Sequence, residues 1–266
     1  MTKPIPYWHI DAFSDRPFGG NQAAVMVLDE WLPDEVLVKI GGENLFAETA
    51  FVVKDTTGAA DWELRWCTPT YEIALCGHAT LAAGHVLLQR DGGDKITFRT
   101  RQSGILEVRR DGDGYALALP AIATTPRAYP EAVALLGAEP EEVYRNDSRY
   151  NVFLFENEAA VRGLAPDIRG LGQLGTDQFI CTAPGDSTDI VSRVFVPGGG
   201  VDEDSVTGSA HAVLTPYWAA KLGRDSFTAH QASERGGDLT LRLDGDRAWL
   251  GGPCVTVVEG VFYLTG

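Results

Sequence analysis

Residues 74–88 constrain the fold more than any other stretch of the chain. They begin with Ala74, Leu75, Cys76, Gly77 and His78 and then run apolar on nearly every face to Leu88. A surface helix shows one apolar stripe, whereas a helix that is apolar all round is buried. The run is too short to cross a bilayer. It therefore reads as a helix through the middle of a domain, with strands around it. Its start carries Cys76 and His78 on either side of Gly77. A helix start also leaves backbone N–H groups unpaired, and such an end attracts anions. One stretch thus proposes both a core and a small-molecule site.

The 266 residues suit one large domain or two ordinary ones, and 44% hydrophobic content is enough for sizeable cores. A formal net charge of -15 sets the chain against phosphate backbones and anionic lipid. Partners in nucleic acid or membrane are therefore not expected. Residues 1–6 contain one lysine and no apolar run, so no export signal is expected. Cys67, Cys76, Cys181 and Cys254 are widely spaced. Reduced thiols and a cytoplasmic setting follow as expectations. No His, Cys and carboxylate residues recur at metal-ligand spacing, so no metal is expected.

Strands are expected at 7–13 and 22–28, joined by a turn around Phe18, Gly19, Gly20 and Asn21. A helix is expected over 32–40, ended or loosened by Gly41 and Gly42. Glu48 stands just ahead of an apolar strand at 49–53. Such a carboxylate is either a solvated edge residue or, if it points inward, a proton carrier. A strand at 61–67 leads to the central helix, and three more follow at 95–100, 104–109 and 115–119. Prolines 120, 126 and 130 mark a boundary. The second half reads as helices at 130–136, 139–144, 156–164 and 168–174, with strands at 150–155, 178–182 and 187–195. A glycine-rich loop precedes an apolar helix at 210–222 containing Pro216, and the tail reads as strands at 227–231, 238–243, 248–250, 254–259 and 261–264.

The two halves repeat. Arg65 to Pro69 precedes Cys76, Gly77, His78 and an apolar helix; Arg193 to Pro197 precedes Thr207, Gly208, Ser209 and another. Residues 48–53 find a fainter echo in 176–181, which pairs Glu48 with Thr176. A curled, mostly antiparallel sheet around a central helix, built twice, is the α+β architecture expected. The expected domains are 1–122, with central helix 77–90, and 123–266, with central helix 208–222; the last strand is free to return to the first.

Several of these pieces together resemble the PhzF-like (phenazine biosynthesis-like) isomerase family within the diaminopimelate epimerase-like fold. They are Asp11 to Phe13 with Pro17 to Asn21, Glu48 to Phe51, Leu64 to Pro69, Leu75 to Thr80, and Glu203 to His211. The resemblance implies two barrel-like halves with the site between them, a homodimer, and no metal or organic cofactor. It implies an isomerase that moves a proton between carbons of a small substrate bearing a carboxylate. By residue match Glu48 falls on the acid/base carboxylate, and His78 and Asp204 on its catalytic partners. Gly77, Gly208 and Ser209 fall on helix starts that bind substrate, Cys76 lies beside them, and Asn21 falls in the bordering loop.

The sequence also departs from the pattern. Gln22 stands where proline is common, Leu45 and Ala47 replace an Asn and a Ser, and Ser205 stands where proline is frequent. The broader fold includes epimerases that use one cysteine at each helix start. Cys76 fills the first place and Thr207 the second, and a hydroxyl is too weak an acid to replace a thiol. A Cys76-based amino- or hydroxy-acid epimerase remains an alternative, as does a non-catalytic binding protein. A Cys76–His78 nucleophilic pair is disfavoured, because residues i and i+2 on a helix do not face each other.

Overall fold

Residues 3–264 are described by a computed structural model. The chain forms two compact units, one made of the residues up to Ala118 together with those from Gly251 onward, the other of Leu119–Leu250. The first unit ends at Ala118, ahead of the expected cut after residue 122, and residues 251–264 lie with the first unit.

The first unit opens with β1 (Lys3–Ala12), β2 (Asn21–Leu28), α1 (Asp34–Asn44), β3 (Glu48–Lys54), β4 (Trp62–Cys67) and β5 (Glu72–Ile73). It continues with α2 (Gly77–Asp91), β6 (Lys95–Arg99), β7 (Ile105–Asp111) and β8 (Gly114–Pro120). β1 and β2 are antiparallel, β2 and β3 parallel, and β3 and β4 antiparallel; β4 then pairs antiparallel with β5 and parallel with β6, and β6, β7 and β8 form a meander. All of 77–88 is buried along α2. The helix packs against β1, β2, β3, β6 and β7, so the sheet curls around it. Gly84 makes this wrap possible: a methyl built there would overlap the side chain of Val108 on β7. Each leucine buried on α2 contributes about 1.5–3 kcal/mol.

The outer face of this sheet is covered as well. Met26, Leu28, Phe51, Val53 and Cys67 cluster with Leu37 and Ile40 of α1. Strands buried on both faces read as continuous apolar runs, which is why β2 and β3 show little alternation. Gly41 and Gly42 do not end α1, which runs to Asn44 and stops at Leu45 in the left-handed region (φ 57°). A side chain on Gly41 would press on the carbonyl of Thr68, so these glycines serve close packing.

The second unit contains β9 (Thr125–Pro126), α3 (Pro130–Leu136), β10 (Glu142–Arg145), β11 (Tyr150–Leu154), α4 (Glu158–Arg162), α5 (Ile168–Gln173), β12 (Gln178–Pro184) and β13 (Ile190–Val196). After them come β14 (Val201–Asp204), α6 (Gly208–Leu222), β15 (Ser226–Gln231), β16 (Gly237–Asp244) and β17 (Arg247–Gly252). The chain then re-enters the first unit as β18 (Cys254–Leu264), antiparallel to β1. The helix expected at 139–144 is instead β10: Val143 and Tyr144 suit a pleated surface, and β10 pairs with both β9 and β11. The acidic stretch at 201–204 forms a short strand, and the two tail strands expected over 254–264 are one.

Strand by strand the units match. From β10 to β16 the pairings run antiparallel, parallel, antiparallel, antiparallel, parallel, antiparallel, the same series as from β1 to β7. α6 is buried over most of its length and packs on β11 and β16. Pro216 lies within it without ending it. The two-fold architecture expected from the repeat is the architecture observed.

Candidate active site

Three chain segments converge at the start of α2. β2 begins at Asn21 and runs parallel to β3, which begins at Glu48, with Ala23 opposite Glu48. Alternation turns Phe51 and Val53 to the α1 side, so Glu48, Ala50 and Val52 face α2. α2 itself starts after Cys76. Glu48 Oε2 lies 3.3 Å from His78 Nε2. Asn21 Nδ2 lies 3.1 Å from the other ring nitrogen, Nδ1. With that amide donating to Nδ1, the ring proton belongs on Nε2 and points at the carboxylate. His78 and Asn21 are buried and Glu48 is half-buried.

The loop before Asn21 holds its shape against backbone preference. Phe13 and Phe18 take left-handed conformations (φ 62° and 73°), uncommon for such residues, and Asp11 Oδ2 accepts the N–H of Phe18 at 2.9 Å. Gly20 has φ 63°, and a side chain there would run into the carbonyl of Ala12. The turn expected around 18–21 thus also seats Asn21 against His78.

Cys76 reaches the same place. It is the residue before the helix, with extended backbone (φ −141°, ψ 116°), and its Sγ lies 3.6 Å from His78 Nδ1. The expectation that positions 76 and 78 cannot meet is overturned, because the rule holds inside a helix and Cys76 stands outside it. The carbonyl of Cys76 accepts the hydroxyl of Thr80 at 2.5 Å. Glu48, Cys76 and His78 each offer a ligand atom within 4.8 Å of the others. Spacing along the chain hides this cluster, since Glu48 arrives from a distant strand.

Asp204, Gly208 and Ser209 lie in the second unit. Gly77 and Gly208 are the first residues of their helices. Ser209, the counterpart of His78, bonds with the side chain of Gln178 (3.1 Å from Nε2). Asp204 Oδ2 accepts the hydroxyl of Thr207 at 2.6 Å. Gln231 ties this corner together, accepting the N–H of Thr207 (2.8 Å) and donating to the Asp204 carbonyl (2.6 Å). His211 Nδ1 lies 2.8 Å from the carbonyl of Thr207, and burial pushes its pKa down to about 4. His85 is similarly held down to about 4 by burial, with a smaller push from Arg110, and Nε2 is 2.9 Å from Thr256 Oγ1. Both histidines are core residues.

Gln178 is the residue that sequence reasoning misses. The echo pairs Glu48 with Thr176, but the strand register pairs it with Gln178. Phe51 stands opposite Arg65 and Cys181 opposite Arg193, three residues after Glu48 and Gln178 respectively. The connection between β12 and β13, residues 185–189, is shorter than that between β3 and β4, residues 55–61, and this shifts the match by two. Aligning on the two arginines and allowing for the shorter turn finds it.

The arginines are themselves a matched pair. Arg65 forks onto Glu72 through Nε (2.9 Å) and Nη2 (2.5 Å). Arg193 forks onto Glu203 through Nε and Nη2 (2.8 Å each). Each fork fixes the short strand that leads into a central helix.

A family model described as phenazine biosynthesis-like protein matches residues 10–260. The chain is 45% identical to a Pseudomonas aeruginosa protein named an uncharacterized isomerase, over 98% of this chain and 99% of that one. It resembles the crystal structure of a PhzF family protein from Enterococcus faecalis with a TM-score of 0.92 and 40% identity, covering 98% of this chain and 100% of the other. A hydroxyproline epimerase structure from Agrobacterium vitis shares the fold alone, at 13% identity and a TM-score of 0.61 over 99% and 93% of the two chains.

Proposed function

The chain belongs to the phenazine biosynthesis-like family and is an isomerase, and from that premise we propose that it moves a proton between carbons of a small carboxylate-bearing metabolite without a cofactor. Glu48 takes the proton from an activated carbon and returns it elsewhere. The observation that carries this reading is the Glu48–His78–Asn21 chain, 3.3 Å and 3.1 Å at its two links. A carboxylate held by a buried imidazole N–H is oriented for transfer, and that N–H can follow the charge on the carboxylate as it forms and disappears. Backbone N–H groups at the start of α2 are suited to hold a substrate carboxylate. Asp204, Gly208 and Ser209 are proposed as substrate-positioning groups of the second unit. A homodimer in the cytoplasm belongs to the same proposal.

Exchange of substrate C–H for solvent deuterium, followed by NMR with candidate amino and hydroxy acids, tests the reading. Glu48→Gln is expected to abolish both exchange and turnover, and full turnover in that variant would overturn it.

A second reading is favoured by the 3.6 Å approach of Cys76 Sγ to His78: an epimerase that uses the thiol as base. Substrate-protected inactivation by alkylation at Cys76, in an enzyme where Glu48→Gln stays active, is its signature. Thr207 at the matching helix start argues against a two-thiol version.

A further inference from the structure

Three side chains of different chemistry meet before α2: a thiol, an imidazole and a carboxylate. Glu48 Oε2 is 3.3 Å from His78 Nε2, and Cys76 Sγ is 4.0 Å from the same nitrogen. One ligand atom from each lies within 4.8 Å of the others. We propose that Cys76, His78 and Glu48 form a binding site for a thiophilic divalent cation such as Zn²⁺, and that the bound ion shuts the enzyme off.

The donor set is that of zinc, with three protein ligands and a fourth position left open to solvent or substrate. With ordinary zinc bond lengths in tetrahedral geometry, nitrogen and oxygen ligands stand about 3.4 Å apart, and sulfur and nitrogen about 3.6 Å. The first distance is already met. The second is not: Cys76 Sγ lies nearer Nδ1 (3.6 Å) than Nε2 (4.0 Å), so its side chain must turn toward the Nε2 edge by a χ1 change, closing on the Glu48 carboxylate as it does so.

Charge and second-layer contacts also fit. The Cys76 thiol gives up its proton to solvent as the ion binds, so thiolate and carboxylate together neutralise the dication. Nε2 must offer its lone pair to the ion, which places the ring proton on Nδ1. A half-turn of the Asn21 side-chain amide sets Oδ1 in place to accept that proton, as ligating histidines generally require. The amide that orients His78 toward Glu48 in the free site therefore orients it toward a metal in the loaded one. Binding does not depend on Glu48 being the base. The loss of activity does, because an ion held by Glu48 and His78 removes both from proton transfer.

The test is titration of the full chain, freed of metal by a chelator, with Co²⁺. Expected are a 1:1 complex, a thiolate-to-cobalt charge-transfer band in the near ultraviolet, the strong visible bands of four-coordinate cobalt, and bleaching of both by Zn²⁺. Cys76→Ser is expected to lose the charge-transfer band. Glu48→Gln and His78→Ala, with native far-ultraviolet circular dichroism, are expected to weaken binding at least about tenfold. Cys254→Ser is expected to leave the spectrum unchanged. Absence of the band in the unaltered chain, its survival in Cys76→Ser, or its loss in Cys254→Ser overturns the site. Deuterium exchange that continues at full rate in the zinc-loaded enzyme overturns the shut-off. Whether Glu48→Gln is inactive in the metal-free state tests the isomerase reading separately.

Discussion

Around α2, Glu48 meets His78; around α6, the same two positions hold Gln178 and Ser209, also in contact. The strands that carry Glu48 and Gln178 have the same neighbours in the same directions. Four residues into each helix start the match continues: Thr80 and His211 both reach back to the carbonyl of the residue before the helix. The backbone is thus kept twice, while the titratable pair is kept once. Carboxylate and imidazole are groups that can take up and release a proton, whereas amide and hydroxyl can only hold hydrogen bonds. Under the proposed function, the difference assigns proton transfer to the first unit and binding to the second.

The largest effects should fall on this asymmetry. Glu48→Gln makes the first unit resemble the second at this position and is expected to lower kcat by roughly a thousandfold, within the usual range for an acid/base group. Gln178→Ala is expected to raise KM with kcat nearly unchanged. Comparable losses of kcat in both variants, measured by steady-state turnover, would erase the distinction.

Much of this was readable in advance, for physical reasons. The all-round apolar run in 74–88 admits only a buried helix, and its duplication at 208–222 dictates two similar halves. Glu48, by contrast, is locally bland. Nothing around it says that alternation turns it inward, and only the family resemblance singled it out. The helix rule that keeps positions i and i+2 apart does not hold for Cys76, which stands one residue before the helix, and this hides its contact with His78. Gln178 was hidden by a turn of different length, since sequence spacing cannot show which strand residues are opposite each other. At 139–144 a helix is expected, but pairing with two neighbouring strands makes Glu142–Arg145 a strand.

The next contrast is in acid. Where α2 has Thr80, α6 has His211, fully buried and with its pKa pushed down to about 4. An unfolded histidine titrates near 6.5. The unfolded chain therefore takes up a proton between about pH 6.5 and pH 4 that the folded one does not. Stability present above pH 6.5 is lost as pH falls toward 4, by about 3 kcal/mol for this residue. His85 adds a second such slope from the first unit. Urea midpoints measured across this range should fall steeply for the unaltered protein and about half as steeply for His211→Gln.

Gly84 gives a smaller effect of opposite placement. Its counterpart in α6 is Thr215, buried and bonded to the carbonyl of His211 (2.6 Å). The wrap around α2 is therefore tighter at this level, with Val108 filling the space a side chain would need. Gly84→Ala is expected to cost about 2 kcal/mol by overpacking, despite the better helix propensity of alanine. Val108→Ala in the same chain should recover part of it. A rise in Tm for Gly84→Ala alone would show that the sheet can yield there.

The mildest contrast lies in the two arginine forks. Arg65 is 3% exposed at its side chain and also holds Asp34, which Arg101 holds from outside. Arg193 is 14% exposed, and its remaining guanidinium contacts are backbone carbonyls of α4 and the residues just after it. Charge-assisted pairs that keep some solvent contribute little, because water competes for both partners. Glu203→Gln is therefore expected to cost about 1 kcal/mol in urea unfolding. Glu72→Gln should cost more, since Arg65 is the more deeply buried and would keep only Asp34 as a charged partner. Equal losses would mean that Asp34 and Arg101 already carry the charge of Arg65, leaving Glu72 to hold only the position of β5.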